Sequence, residues 1–267
     1  MKEPVTIYNK EEINIMRDGG IILAGIMRDL GNALTPGMSY HDIEMKCREL
    51  IASAGATSGT IGYQTRKADP PFPASVCVSV NDSVAHGIGY ENETVIKEGD
   101  VVSLDVIIVW KEMFVDTCRT YIVGETTEER KRLVECARRS TDAAIKAATL
   151  GNTTDDIGAA AAAVAKEYGF QTVKELGGHG VGREIHMSPF VPSYKGSGYA
   201  TPLQEGMILA IEPIISAGTW KIRMLSDGWT FKTMDGSDAA QFEETVLITK
   251  EGPVPLTSDR LVRTDHG

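Results

Sequence analysis

Cysteine is scarce and scattered: Cys47, Cys77, Cys118 and Cys136 contain no C-x-x-C pair. That excludes a thiolate zinc knuckle and a dithiol redox centre, and leaves free thiols of a reducing compartment. Long apolar runs are missing too, none approaching the roughly 20 residues that cross a bilayer. With no signal peptide opening at Met1-Lys2-Glu3-Pro4, the expectation is a soluble cytoplasmic protein without membrane association. Positive charge is in deficit, 27 Lys and Arg against 37 Asp and Glu, and the formal charge of -10 excludes a nucleic-acid or anionic-lipid surface. No G-x-G-x-x-G or G-x-x-x-x-G-K-[ST] run exists to cradle a phosphate. Nothing resembles a long linker, so 267 residues at 42% hydrophobic content read as one domain, 1–267.

What the chain does have is an internal echo. Asn9 with Glu12, and Thr126 with Glu129, have the spacing of capping boxes; they predict helices over about 10–33 and from 126 to about Leu150. A second helix follows each. Gly37, Ser39, Asp42, Ile43 and Gly55 recur as Gly151, Thr153, Asp156, Ile157 and Gly169, every pair offset by the same 114 residues. A cap and its bounding turns repeated in register imply duplication. The echo continues in His86-Gly87 followed by a strand ending in Asp105, and His179-Gly180 followed by a strand ending in Glu212. The reading is an α/β (α+β) fold of two pseudo-symmetric halves, about 9–124 and 125–257, with a frayed tail over 258–267. Proline and charge make loops of Gln64–Pro73 and of residues 187–204.

The most informative stretch is Asp100–Gly124, two β-branched runs around Trp110-Lys111-Glu112 that predict a hairpin. With the turn near Lys111, Asp105 and Asp116 fall on one face as diagonal neighbours about 7 Å apart. Two carboxylates on an apolar face need a cation between them. The plainer readings are that Asp105 ends its strand in water, or that Asp116 pairs with Arg119. Glu212 precedes Pro213, which biases it to a strand end facing a site. Gln241–Thr249 reads as one strand with Glu243 on one face and Glu244 on the other, solvated. Of five histidines, His41 reads as a surface residue and His266 lies in the tail; His179 sits among glycines that let an ion or substrate approach. Together Asp105, Asp116, His179, Glu212 and Glu243 carry a charge of about -4, suited to two divalent cations. Oxygen-rich ligation with one nitrogen favours Mn, Fe or Co without choosing among them.

These motifs resemble type I methionine aminopeptidases, over about Asn9 to Thr257. The resemblance is carried by Asp105 and Asp116 eleven residues apart, Gly178-His179-Gly180 with His186 seven residues on, Ile211-Glu212-Pro213, and Gln241-Phe242-Glu243. It implies the "pita-bread" fold, a pseudo-twofold pair of helix-helix-strand halves around a curved, mainly antiparallel sheet. It also implies a metallo-exopeptidase that removes the initiator methionine from nascent chains whose second residue is small. In that scheme Asp105 holds one metal, His179 and Glu212 the other, and Asp116 and Glu243 bridge, while a hydroxide activated by both attacks the first peptide carbonyl. Glu212 also shuttles the proton, His186 steadies the carbonyl oxygen, and His86 contacts the scissile amide or assists the leaving amine. The methionine pocket it implies comprises Tyr63, Phe72, Cys77, Ile185 and Trp229, for which core packing is the plainer reading. The expected partners are nascent polypeptide N-termini, near the ribosome exit, met by a monomer.

The chain departs from that pattern in a longer loop after Tyr63, in Gln64, Ile185 and Met187-Ser188, and in Glu244 where a histidine is common. Two other readings stay open: an Xaa-Pro-type aminopeptidase or dipeptidase on the same scaffold, and a non-catalytic pita-bread binding module.

Overall fold

Each helix starts where a short polar side chain satisfies the amides that a first turn leaves without partners. In the computed structural model, which describes residues 4–88 and 94–261, Asn9 accepts from the amides of Glu11 and Glu12 and opens α1 (Lys10–Ala33). Met16, Leu23 and Met27 line one side of α1 and are fully buried, as a helical period requires. Ser39 and Asp42 close a reciprocal box at the start of α2 (Tyr40–Ser53), and Thr153 with Asp156 does the same for α4 (Thr154–Tyr168). The bounding glycines match too: φ is +90° at Gly37 and +94° at Gly151, a left-handed turn that a side chain would oppose. Even the isolated bridges correspond, Ser39 to Val95 and Thr153 to Pro202. α3 (Glu128–Ala147) is capped by Thr127 rather than Thr126, because the Thr126 hydroxyl is spent on the carbonyl of Gly99, and it ends before Leu150.

Between the helices of the first half and the second run β1 (Thr57–Ser58), β2 (Cys77–Val80), β3 (Ser83–Ala85), β4 (Val101–Trp110) and β5 (Met113–Ile122). After α4 come β6 (Gln171–Thr172), β7 (Gly178–Gly180), β8 (Met187–Val191), β9 (Ile208–Ile211) and β10 (Ile214–Ser216). β11 (Ile222–Met224), β12 (Phe231–Thr233), β13 (Ala239–Gln241), β14 (Glu244–Thr249) and β15 (Gly252–Pro255) complete the order, before a 3-10 turn at Asp259–Leu261. Every strand pairing among the described residues is antiparallel, in four ladders: β1-β4-β2 with β5 on β4, β13-β10-β6, β11-β12-β3, and β15-β14-β9-β7-β8. α1 packs on the β4–β5 hairpin and α2 on α1 and β1, around a core that includes Leu30, Ile43, Val106 and Val115. α3 and α4 pack together over the second half, where Ile157, Leu209 and Val246 are buried.

Four strand expectations change. Asp105 lies within β4 rather than at its end, and His179 lies in β7 rather than in a turn. Residues 187–191 form β8 at the edge of the five-stranded ladder, where Pro189 costs no central hydrogen bond. Gln241–Thr249 is two strands rather than one, with Phe242 and Glu243 in the gap. The tail is docked as far as Leu261, and His266, with residues 262–267, lies outside the described residues.

Candidate metal centre

The β4–β5 hairpin turns on Lys111 and Glu112, both with positive φ as a two-residue type I′ turn needs. Its register sets Asp105 opposite Cys118 and Ile107 opposite Asp116, so the two acids share a face diagonally, as their spacing predicts. On its other side Asp105 faces Cys77 of β2. Burial, and next the charge of Asp105, raise both thiols far above their ordinary range, so they stay neutral.

The second pair of acids comes from a break shared by two strands. Ile211 pairs with Glu244 and Ile214 with Gln241, so one register runs on both sides of the gap and sets Glu212 opposite Glu243. Pro213 brings no N–H to the gap, and the Glu243 amide turns aside to the Cys118 carbonyl at 3.0 Å. Both carboxylates are thereby released from the sheets toward the hairpin. Glu212 is held by the Gln241 side-chain amide, which donates to its Oε2 at 2.9 Å.

His179 supplies the nitrogen. Its Nδ1 lies 3.0 Å from the carbonyl of Gly180, which can only accept, so Nδ1 carries the proton and Nε2 offers its lone pair. Nε2 stands 3.4 Å from Glu212 Oε1 and 3.9 Å from Asp116 Oδ2. The glycines around it serve the strands rather than an approaching ion: a Cβ at Gly178 would strike the carbonyl of Ala210, and one at Gly180 that of Ser188.

Asp116, His179 and Glu243 each offer a donor atom within 4.8 Å of the others, and all three are buried, at 3%, 7% and 1% exposure. Asp105 adjoins them as the diagonal neighbour of Asp116 on the hairpin, and Glu212 through His179. Asp105 Oδ1, Asp116 Oδ1 and Glu243 Oε1 have no hydrogen-bond partner, three of only five such buried side-chain atoms among the described residues. Burial first, and repulsion from Glu212 next, push Asp105 up to about 7. Asp116 and Glu243 are also raised, by burial and then by their carboxylate neighbours. Arg119 lowers Glu243 only as the smallest of its influences and bonds to none of the three carboxylates. Its guanidinium turns away to the carbonyls of Glu243 (2.6 Å), Cys118 and Thr257 and to Glu244 Oε1 at 2.9 Å, so it is no partner of Asp116 and Glu244 is not solvated. Buried carboxylates with unpartnered oxygens, gathered beside an imidazole, are suited to hold divalent cations.

Two residues of this cluster, His179 and Glu212, reach a cleft of about 660 Å³. His179, Glu212, His86, His186, Tyr63 and Trp229 line it. His86 adopts a left-handed backbone, φ +54°, and stands edge-on to Phe231 at 5.8 Å between ring centroids. Burial lowers the pKa of His86. His186 opens to water on one side, but loss of most of its solvation, and then His179 and His86, pull it down to about 2. Of the remaining pocket candidates, Phe72 and Cys77 pack behind Trp229 in one apolar cluster with Tyr63. Ile185 is buried but belongs neither to that cluster nor to the cleft wall. Sequence spacing does not reveal Thr245, whose hydroxyl bridges the backbone of Asp116, or the roles of Gln241 and Arg119. The one available signal was Gln241, two residues before Glu243 and of matching strand parity.

The profile of metallopeptidase family M24 matches residues 14–250. A methionine aminopeptidase of Aquifex aeolicus is 41% identical over 255 residues, 95% of this chain and 98% of that protein. The crystal structure of a methionine aminopeptidase from Thermotoga maritima superposes with a TM-score of 0.90 at 37% identity, covering 96% of this chain and all of that one. A prolidase from Pyrococcus horikoshii shares the fold, with a TM-score of 0.74 at 23% identity, and the chain covers 63% of its length.

Proposed function

We propose that this chain, which belongs to metallopeptidase family M24, uses the carboxylate cluster beside its cleft to hydrolyse the first peptide bond of polypeptides that begin with methionine. The activity is that of a methionyl aminopeptidase. One observation carries the site assignment: buried donor atoms of Asp116, His179 and Glu243 lie within 4.8 Å of one another, and Asp116, Glu243 and the neighbouring Asp105 each keep a buried carboxylate oxygen without a partner.

Divalent cations belong to this family's chemistry, and the residues here fit a pair of them. Asp105 would hold one, His179 and Glu212 the other, with Asp116 and Glu243 shared; the oxygen-rich set suits Mn, Fe or Co. When bound, such cations polarise the carbonyl and acidify water near neutrality. The protein's own groups do the rest. Glu212, oriented by Gln241, takes a proton from the attacking water and passes it to the departing amine. His186, neutral at physiological pH, donates to the oxygen of the tetrahedral intermediate, and His86 reaches the scissile amide. The acidic cluster attracts a free α-amino group, which restricts cleavage to the chain end. Tyr63, Phe72, Cys77 and Trp229 form an apolar, polarisable wall for a thioether.

The substrates we assign are nascent chains with a small second residue, met near the ribosome exit by a single copy of this protein in the cytoplasm. Among the described residues no helix is long and apolar enough to cross a membrane. Assay of Met-Ala-Ser against Ala-Pro-Ala, with manganese or cobalt supplied, tests the reading. Release of methionine from the first alone is expected; cleavage of the second would transfer the chain to the Xaa-Pro class, and metal binding without any hydrolysis would make it a binding module.

A further inference from the structure

One lip of the cleft is made by the segment that joins Tyr63 to Phe72, and this segment is braced from within. Gln64 Nε2 donates to the Asp69 carbonyl at 2.6 Å, the Arg66 amide donates to Asp69 Oδ2 at 2.9 Å, and the Asp69 amide returns to the Arg66 carbonyl at 2.9 Å. Its ends are joined by Phe72 N to Tyr63 O at 2.8 Å, and its crest is pinned where the Trp229 indole donates to the Pro70 carbonyl at 2.9 Å. So the backbone that carries Arg66 is held in place, while its guanidinium has no hydrogen bond or ion pair among the described residues and lines the cleft.

Arg66 is the one Lys or Arg among the residues lining the cleft; the acids there are Asp69, Glu175 and Glu212. A cation at the mouth opposes entry of a positively charged amine, so its favourable partner must lie elsewhere on the substrate. With the amine toward Glu212 and methionine against Trp229, a chain that continues along the cleft wall beyond the scissile bond would pass this lip. Each residue advances it by about 3.3–3.6 Å, which brings the third and fourth residues within reach of an arginine on the rim. We propose, resting on the aminopeptidase reading above, that Arg66 is a specificity-determining residue that favours substrates with an acidic side chain at the third or fourth position.

The test compares kcat/KM for three amidated peptides, Met-Ala-Glu-Glu-Gly, Met-Ala-Lys-Lys-Gly and Met-Ala-Gly-Gly-Gly, on the metal-loaded enzyme and on Arg66→Ala and Arg66→Glu. The side chain is exposed, so both variants should fold. The ratio of the glutamate to the lysine peptide should fall at least about threefold in Arg66→Ala and further in Arg66→Glu, with high salt erasing the differences. The glycine peptide, which offers Arg66 no side chain, reports how far each substitution alters entry of the amine itself, and the glutamate and lysine values are read relative to it. A ratio unmoved by either substitution overturns the proposal. Failure of the wild-type protein to cleave the glycine peptide would overturn the aminopeptidase reading itself, and this inference with it.

Discussion

The hydroxyl of Tyr63 lies 2.6 Å from Nδ1 of His186, across 123 residues of sequence. Burial raises the phenol's pKa and lowers the imidazole's, so at neutral pH a protonated phenol meets a neutral ring. When the phenol donates to Nδ1, the proton of His186 resides on Nε2, the nitrogen free to face a substrate oxygen. Tyr63, on the cleft wall, thereby selects the tautomer of the group that would stabilise the intermediate.

Tyr63→Phe keeps the ring and loses that hydrogen bond. A neutral bond of this kind contributes about 0.5–1.5 kcal/mol, so kcat should fall roughly threefold to tenfold with KM little changed. Steady-state kinetics on Met-Ala-Ser would show it; an unaltered kcat would mean the tautomer is set by other contacts.

His186→Ala removes the donor itself. Turnover should drop by about 10²–10³-fold while bound metal stays at wild-type content. Loss of metal along with activity would reassign His186 as a ligand.

Glu212→Gln and His179→Ala should each abolish turnover and leave the far-UV circular dichroism intact. Metal analysis on the purified variants decides the assignment: a His179→Ala protein with native metal content and full activity would remove His179 from the centre.

Chelation should expose the cluster's repulsion as a pH effect. Asp105, Asp116 and Glu243 have folded pKa values raised above their unfolded ones, so between the two the native state binds more protons and stability falls as pH rises. For Asp105 the window runs from about 4, the ordinary carboxylate value, to about 7. The melting temperature of chelator-treated protein should therefore decline across that window, and manganese should restore it most at the alkaline end. A flat profile after chelation would contradict the crowding of these carboxylates.

Arg119→Ala tests the brace behind the centre. It would leave Glu244 buried without its partner and free the Glu243 carbonyl, at a cost of about 3–5 kcal/mol. The melting temperature should fall by roughly 6–20 °C. A drop of a degree or two would show that Thr257, which also bonds Glu244, suffices alone.

Much of the fold was legible because the governing interactions are local. The box of Ser39 and Asp42 and its echo in Thr153 and Asp156 depend on side chains reaching amides three residues away, and spacing alone exposes them. The slip at α3, Thr126 for Thr127, arose because a distant carbonyl at Gly99 claimed the first hydroxyl. Similarly, strand parity placed Asp105 and Asp116 on one face once the turn at Lys111 was found. The pocket was harder: Ile185 had the right position in the motif, yet it is packed away from the cleft, and no periodicity distinguishes one buried residue from another.

The sequence by itself determined the paired halves, the hairpin and the chemical identity of the donors, since caps, turns and side-chain alternation act over a few residues. Only tertiary structure decided that Glu212 and Glu243 leave their strands at one shared gap, that Arg119 turns away from the carboxylates, and that His179 presents Nε2 to them. Those outcomes depend on which distant carbonyls and amides compete for each group, and that competition exists only once the strands have come together.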